Sequence, residues 1–172
     1  MLVNYGTGKG KTTAALGTAL RALGHGQKVL VLQFLKGTMP TGETESLKRF
    51  ADLLEFIQLG IGFIKHKDGK PQITQAQIEN AKRSYVLALD KIKKGDYDLV
   101  ILDEINYLVD FGLVREEDIL KIIEQRPQKS TLIFTGRNAF AALIKAADTV
   151  TKMSEVKHAF YDKIKAQKGI EY

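Results

Sequence analysis

Residues Gly6-Thr7-Gly8-Lys9-Gly10-Lys11-Thr12-Thr13 limit what this chain can fold into more than any other stretch. They sit between a short apolar strand, Leu2 to Tyr5, and a helical pattern that starts at about Lys11. Glycines let successive backbone N–H groups turn inward around an anion, and the helix N-terminus adds the positive end of its dipole. Lys11 would then reach phosphate oxygens, and the Thr12 hydroxyl would ligate Mg2+. A Gly-rich turn that merely caps a helix is the plain alternative. The strand-loop-helix setting together with Gly-Lys-Thr-Thr weighs against it. The common form, Gly-x-x-x-x-Gly-Lys-Thr, requires glycine five residues before Gly10, where this chain has Tyr5. Counted from Gly6, only three residues intervene, so the loop is one residue tighter. A tighter loop need not present the γ-phosphate as motor ATPases and kinases do, which argues against simple ATP hydrolysis.

The rest of the chain alternates apolar runs with helical patterns, as an α/β domain with a mostly parallel sheet does. A helix from Lys11 to Leu23 would bury Leu16, Ala19, Leu20 and Leu23, with Gly24 and Gly26 stopping it. Strands are expected at Lys28 to Phe34, apolar on both faces, and at Leu54 to Gln58, with a short helix near Glu45 to Phe50 between them. The stretch from Gly60 to Pro71 reads as a long binding loop. A helix from Ile73 to Lys93, carrying Ile78, Ala81, Tyr85 and Leu89 on one face, ends at Gly95. Then come a strand at Leu99 to Leu102, helical pieces at Ile105 to Phe111 and Glu116 to Glu124, and a strand at Ser130 to Thr135. A helix from Ala139 to Ala147, a strand from Thr149 to Met153 and a polar tail complete the chain. Phe34 and Phe111 are expected in the core.

With 172 residues, no repeats and no linker, residues 1–172 are expected to form a single nucleotide-binding domain. The chain has no cysteine, which removes disulfides, thiolate nucleophiles and Cys-ligated zinc. Its three histidines, His25, His66 and His158, lack metal-ligand spacing. No apolar run is long enough to span a bilayer and no signal-peptide layout is present, so no membrane partner and a cytoplasmic location are expected. The net charge of +6 suits either a nucleic-acid surface or a solvated, lysine-rich exterior. The lysines are dispersed and not interleaved with aromatics, which favours the second and predicts no nucleic-acid partner.

Two further segments carry chemistry. Leu99-Val100-Ile101-Leu102-Asp103-Glu104 is an apolar strand ending in two carboxylates, where a phosphate-binding α/β fold supplies an acid for Mg2+ or its water shell. Alternatively Asp103 caps the following helix. With the glycine loop present, metal binding is favoured, Glu104 being the direct ligand. Thr135-Gly136-Arg137 closes a strand on the same edge, and Arg137 could neutralise triphosphate charge. Its plain alternative is a surface arginine after a turn.

These pieces, in this order, resemble the P-loop family of corrinoid adenosyltransferases. The resemblance runs nearly end to end. It includes residues 6 to 15, Ala22-Leu23-Gly24-His25-Gly26, Val31-Leu32-Gln33-Phe34-Leu35-Lys36-Gly37, Leu102-Asp103-Glu104-Ile105-Asn106 and Thr135-Gly136-Arg137. In the tail it includes Val156-Lys157-His158-Ala159-Phe160 and Lys165 to Tyr172.

The resemblance implies a P-loop NTPase-like, RecA-like fold and a reaction in which Co(I) of a corrinoid such as cobalamin attacks the 5′ carbon of ATP, releasing triphosphate. ATP would lie reversed along the tight loop, its ribose facing the nucleophile. Thr7, Gly8, Lys9, Gly10, Lys11, Thr12 and Thr13 would cradle the triphosphate, and Phe63, in the loop Gly60 to Lys67, would face the corrin ring. Thr12 and Glu104 would hold Mg2+ (or Mn2+), with Asp103 behind them. The catalytic roles would fall to Lys11, Glu104 and Arg137. The resemblance further implies a homodimer and a cobalt-reducing flavoprotein as partner. The family pattern Gly-x-Gly-Phe-Thr-Trp is kept at Gly62 and Phe63 but has Lys65 in place of tryptophan. Family members often carry an N-terminal extension over a neighbouring site; this chain opens almost at its first strand, so a looser or differently arranged closure over the corrinoid is expected. Other classes are a P-loop ATPase or RecA-like nucleic-acid-associated NTPase, a non-catalytic nucleotide or corrinoid carrier, and a small-molecule kinase.

Overall fold

A computed structural model describes residues 1–35, 37, 41–62, 64–68 and 70–170. Strands β1 (Leu2–Tyr5), β2 (Val29–Gln33), β3 (Leu54–Gln58), β6 (Leu99–Asp103), β7 (Thr131–Gly136) and β8 (Thr149–Lys152) form one six-stranded sheet in the order β3-β2-β6-β7-β1-β8. Every pairing in it is parallel. All six carboxyl ends therefore lie along one edge, where open α/β sheets bind ligands. β7 stands between β1, which feeds the glycine loop, and β6, which ends in Asp103. This is the mostly parallel, helix-flanked sheet that the sequence implies.

Strand alternation divides the core into two. Val29 and Val31 of β2, Leu99 and Ile101 of β6 and Ile133 of β7 face α1 (Lys11–Gly24). Leu30, Leu32, Val100, Leu102, Leu132 and Phe134 face the opposite layer, built from α3 (Gln75–Lys94) and α5 (Glu116–Gln125). β2 and β6 are buried at every position, as central parallel strands must be. The shorter helices α2 (Gly42–Leu47), α4 (Asn106–Asp110) and α6 (Ala141–Ala146) complete the layers, with a single 3-10 turn at Lys48–Phe50 after α2.

Four differences from the sequence expectations have physical causes. α1 buries Ala15, Ala19, Ala22 and Leu23, while Leu20 is 56% exposed. Three alanines bring the helix backbone close to the sheet, and a leucine stripe would hold it away. Part of the stretch expected as a loop pairs as an antiparallel hairpin, β4 (Lys65–Lys67) with β5 (Lys70–Gln72). Asp103 belongs to β6, and the residue preceding α4 is Ile105, so Asp103 is not a helix cap. Phe111 is half-buried against the core, stacked on Tyr107, whereas Phe34 is fully inside. α3 begins at Gln75, two residues after its expected start, because Thr74 and Gln77 form a capping box there, and Gly95, with φ of 70°, ends it as expected.

At the opposite edge from the strand ends, Lys91 of α3 donates to both Glu55 oxygens at 2.7 and 2.8 Å, and the Tyr97 hydroxyl donates to the same carboxylate. Burial works to raise the Glu55 carboxyl, but the Lys91 and Tyr97 hydrogen bonds outweigh it and hold the group below its ordinary 4.5. Burial, then the Glu55 carboxylate, pushes the Tyr97 phenol well above its ordinary 10.0. This clamp's stabilisation is complete above pH 4.5 and fades as pH falls through the lowered Glu55 value. It fades again as pH rises past 10.0 toward the raised Tyr97 value.

Two predictions follow from this packing. Ala19→Leu should lower stability by about 1–3 kcal/mol, read as a fall in the urea midpoint; an unchanged midpoint would mean α1 has room to spare. Glu55→Gln should flatten the acid limb of a melting-temperature profile against pH. An acid limb that superposes on the parent's would show that the clamp contributes nothing.

Candidate active site

The glycine loop is fixed to its neighbours by backbone hydrogen bonds. Gly6 N–H donates to the Arg137 carbonyl at 2.9 Å, Gly8 N–H to the Met153 carbonyl at 2.8 Å, and Met153 N–H to the Tyr5 carbonyl at 2.7 Å. Gly6 has φ of 118°, and a Cβ there would stand 2.3 Å from the Met153 oxygen. Only glycine fits, since both the conformation and the space exclude a side chain.

Beside the loop lies an open cleft of about 490 Å3. One wall is Lys9 to Thr13, another is Glu104 and Tyr107, a third comes from Gly42, Glu43 and Ser46 of α2, and Gly169 and Ile170 of the tail close it. The lysines turn to carbonyls: Lys11 Nζ donates to Gly8 O at 2.7 Å and Lys9 Nζ to Ile170 O at 3.0 Å. Burial lowers the pKa of Lys11, the Glu104 carboxylate counters it, Arg137 adds to the lowering and Asp103 opposes it. Three charged groups of the strand-end edge, Glu104, Arg137 and Asp103, are thus close enough to act on Lys11.

Asp103 lies behind the cleft at 1% exposure. Its Oδ1 accepts from Thr12 Oγ1 at 2.9 Å and Thr135 Oγ1 at 2.7 Å, and its Oδ2 from Gln33 Nε2 at 3.0 Å. Buried carboxylates persist when hydrogen-bonded in this way. Glu104 has a positive φ of 64°, uncommon for a non-glycine residue, and its N–H donates to Thr135 Oγ1 at 2.8 Å. This twist turns consecutive carboxylates apart, Asp103 into the protein and Glu104 to the cleft wall.

Lys9, Gly10, Lys11, Thr12, Thr13 and Glu104 are therefore brought to one cleft. Thr13 donates to Gly10 O at 3.0 Å. Thr7 and Gly8 are not part of its lining: Gly8 is buried beneath the loop, and Thr7 Oγ1 accepts from Glu155 N–H at 3.4 Å on the tail side. Arg137 is exposed at the end of β7, where its charge acts on Lys11 and Tyr107. Phe63 falls outside the described residues. Sequence reasoning missed Gln33, Thr135 as a ligand of Asp103, Tyr107 and the α2 wall. For Gln33 a signal existed, a lone polar residue closing the apolar run Val29 to Leu32.

Among the described residues, the oxygen donors lining the cleft that a metal ion could meet include the Thr12 hydroxyl, whose proton goes to Asp103, and the Glu104 carboxylate. Hard oxygen donors of this kind fit Mg2+ or Mn2+. Among the described residues no cluster of three or more His, Cys, Asp or Glu side chains could hold a metal ion unaided. Phosphate oxygens would have to complete the shell. No helix among the described residues is long and apolar enough to cross a membrane.

Comparison with known proteins agrees with this geometry. The family described as ATP:corrinoid adenosyltransferase BtuR/CobO/CobP matches residues 1–172. A Corrinoid adenosyltransferase of Pseudomonas aeruginosa is 42% identical over 100% of this chain and 83% of its own length. One of Escherichia coli is 40% identical, over 100% of this chain and 85% of its own. The Corrinoid adenosyltransferase CobA of Salmonella typhimurium is 38% identical with the same coverage, 100% and 85%. The chain belongs to the ATP:corrinoid adenosyltransferase family.

Proposed function

We propose that this protein transfers the 5′-deoxyadenosyl group of ATP to Co(I) of cobalamin or a related corrinoid and releases triphosphate. The observation that carries the proposal is the cleft itself: in a member of this family, a tight glycine loop, Lys11, Thr12 and Glu104 meet at the carboxyl edge of a parallel sheet. The Co(I) electron pair forms the Co–C bond, the C5′–O bond breaks, and its electrons leave on the triphosphate.

Cobalt is the nucleophile, so the chain needs no attacking side chain of its own, in keeping with a sequence that has no cysteine. Its task is to orient ATP, exclude water and match the growing charge of the leaving group. Residues Lys9 to Thr13 cradle the triphosphate while Thr7 and Gly8 brace the loop from the tail side, the N-terminus of α1 adds its dipole, and Lys9, Lys11 and Arg137 supply cations. Lys11 exchanges the Gly8 carbonyl for phosphate oxygens when the nucleotide arrives. Thr12 and Glu104 hold Mg2+ or Mn2+, which neutralises triphosphate charge when bound; Asp103 supports Thr12 from behind. Phe63 meets the corrin. The reading extends to one domain over residues 1–172, a homodimer in the cytoplasm, a cobalt-reducing flavoprotein as partner, and no role for nucleic acid.

The test is an anaerobic assay with ATP, Mg2+ and chemically reduced cob(I)alamin. Loss of the Co(I) absorbance, with a light-sensitive alkylcobalamin and triphosphate as products, is the expected result. ADP or orthophosphate formed without corrinoid would replace the proposal with a kinase or an ATPase. Lys11→Ala should slow transfer by about 100-fold or more, and Glu104→Ala should raise the Mg2+ requirement by about tenfold or more. Parent-like rates in both variants would remove these residues from the site.

A further inference from the structure

Gln33 closes β2, a strand buried at every position and otherwise composed of valine and leucine. It is only 1% exposed. Burying a carboxamide is costly unless both of its ends are bonded, and here both are. Nε2 donates to Asp103 Oδ2 at 3.0 Å, and Oε1 accepts from Gln58 Nε2 at 3.2 Å. The strand register explains the row: Gln33 is the partner of Gln58 on β3 and of Asp103 on β6. Three polar side chains thus stand side by side on the α1 face of the sheet, above the valines and isoleucine that pack against the helix.

The row has a direction. Gln58 gives a hydrogen to Gln33, Gln33 gives one to Asp103, and Thr12 and Thr135 give theirs to the same carboxylate from the other side. A carboxamide can turn end for end, but a carboxylate only accepts, so Asp103 meets the NH2 group and Oε1 is left to accept from Gln58. Gln33 is the donor on Oδ2, while both hydroxyls share Oδ1. Without it the carboxylate would be free to rotate and draw the hydroxyls with it. The single O–H proton of Thr12 is committed to Asp103, which leaves its lone pairs for the cleft.

We propose that Gln33 is a positioning residue for the metal–nucleotide site: by fixing Asp103 it fixes which way the Thr12 hydroxyl faces. The inference rests on the assignment of Thr12 as a metal donor in the proposed function. Gln33 touches neither nucleotide nor metal and acts only through the carboxylate, so its effect disappears when the Thr12 hydroxyl is absent.

Mn2+ binding to the full chain with ATP, followed by the loss of free-ion EPR signal, tests this without any turnover. Gln33→Leu should weaken Mn2+ binding to the ATP complex by about tenfold, while metal-free ATP affinity stays within about twofold of the parent. In a Thr12→Ala background, Gln33→Leu should add nothing, because coupled residues are not additive. Parent-like Mn2+ affinity in Gln33→Leu, or the same loss with and without Thr12, overturns the proposal and leaves Gln33 a packing residue. Should Gln33→Leu not fold, Gln58→Leu at the half-buried end of the row decides, since it frees the amide without emptying the core. A loss of Mn2+ affinity in that variant supports the proposal and an unchanged affinity overturns it. A parent chain that binds no Mn2+ with ATP overturns the Thr12 assignment, and this inference with it. Parent binding with an unaffected Gln33→Leu overturns the inference alone.

Discussion

A single buried carboxylate holds this site together. Asp103 is accommodated inside the protein because two hydroxyls and an amide are aimed at it, one each from α1, β7 and β2. An ion in such surroundings is tolerable only when every donor is in place. The same contacts that solvate Asp103 therefore fix the helix that follows the glycine loop against the strands that frame it. Losing any one of the three leaves the carboxylate short of a donor, and losing the Thr12 hydroxyl also releases the N-terminus of α1. Stability and site geometry are consequently set by the same atoms.

The parallel sheet makes that convergence possible. Because every strand runs the same way, the carboxyl ends of β2, β6 and β7 arrive at one edge, and because their registers match, Gln33, Asp103 and Thr135 emerge on the same face. That face is the one α1 covers, so Thr12 meets them directly. The opposite face at that edge is apolar, with Leu32, Leu102 and Phe134 in the core against α3 and α5. A one-residue slip of β6 would exchange Asp103 for Leu102 beneath Thr12 and leave the carboxylate among hydrocarbons. The apolar alternation that builds the two cores is thus also what keeps the charge where it is used.

Much of this was legible in the residues. The glycine loop, the alternating elements and the carboxylate pair after β6 follow from patterns that local chemistry imposes, and most elements lie within a residue or two of where those patterns put them, although α2 begins three residues before the expected helix. What could not be read depended on contacts between distant segments. Ala19 and Leu23 are buried as expected and Leu16 partly so, but the burial of Ala15 and Ala22 and the exposure of Leu20 reflect how close the sheet lies, which periodicity does not encode. The role of Asp103 as acceptor rather than cap is decided by Thr135, more than thirty residues away. The hairpin β4–β5 has a charged, β-poor sequence, and the pairing outweighs weak propensity. Gln33 looked like the tail of an apolar strand, and only its partners reveal why it is polar.

The lysines show how such a site can favour a leaving group over a bound substrate. Lys11 is partly withdrawn from water, and its ammonium rests on the Gly8 carbonyl. Lys9 rests likewise on the Ile170 carbonyl. For Lys11 the neutral Gly8 carbonyl holds the cation without neutralising it, whereas phosphate adds charge–charge attraction to the hydrogen bond. On the proposed reaction, negative charge grows on the triphosphate as the C5′–O bond stretches, and the attraction to a fixed, desolvated cation grows with it. A lysine fully hydrated at the surface would spend part of that gain on reorganising water. One already held in place, with its carbonyl partner a short exchange away, spends less, and the difference appears in the barrier and not in the affinity for ATP.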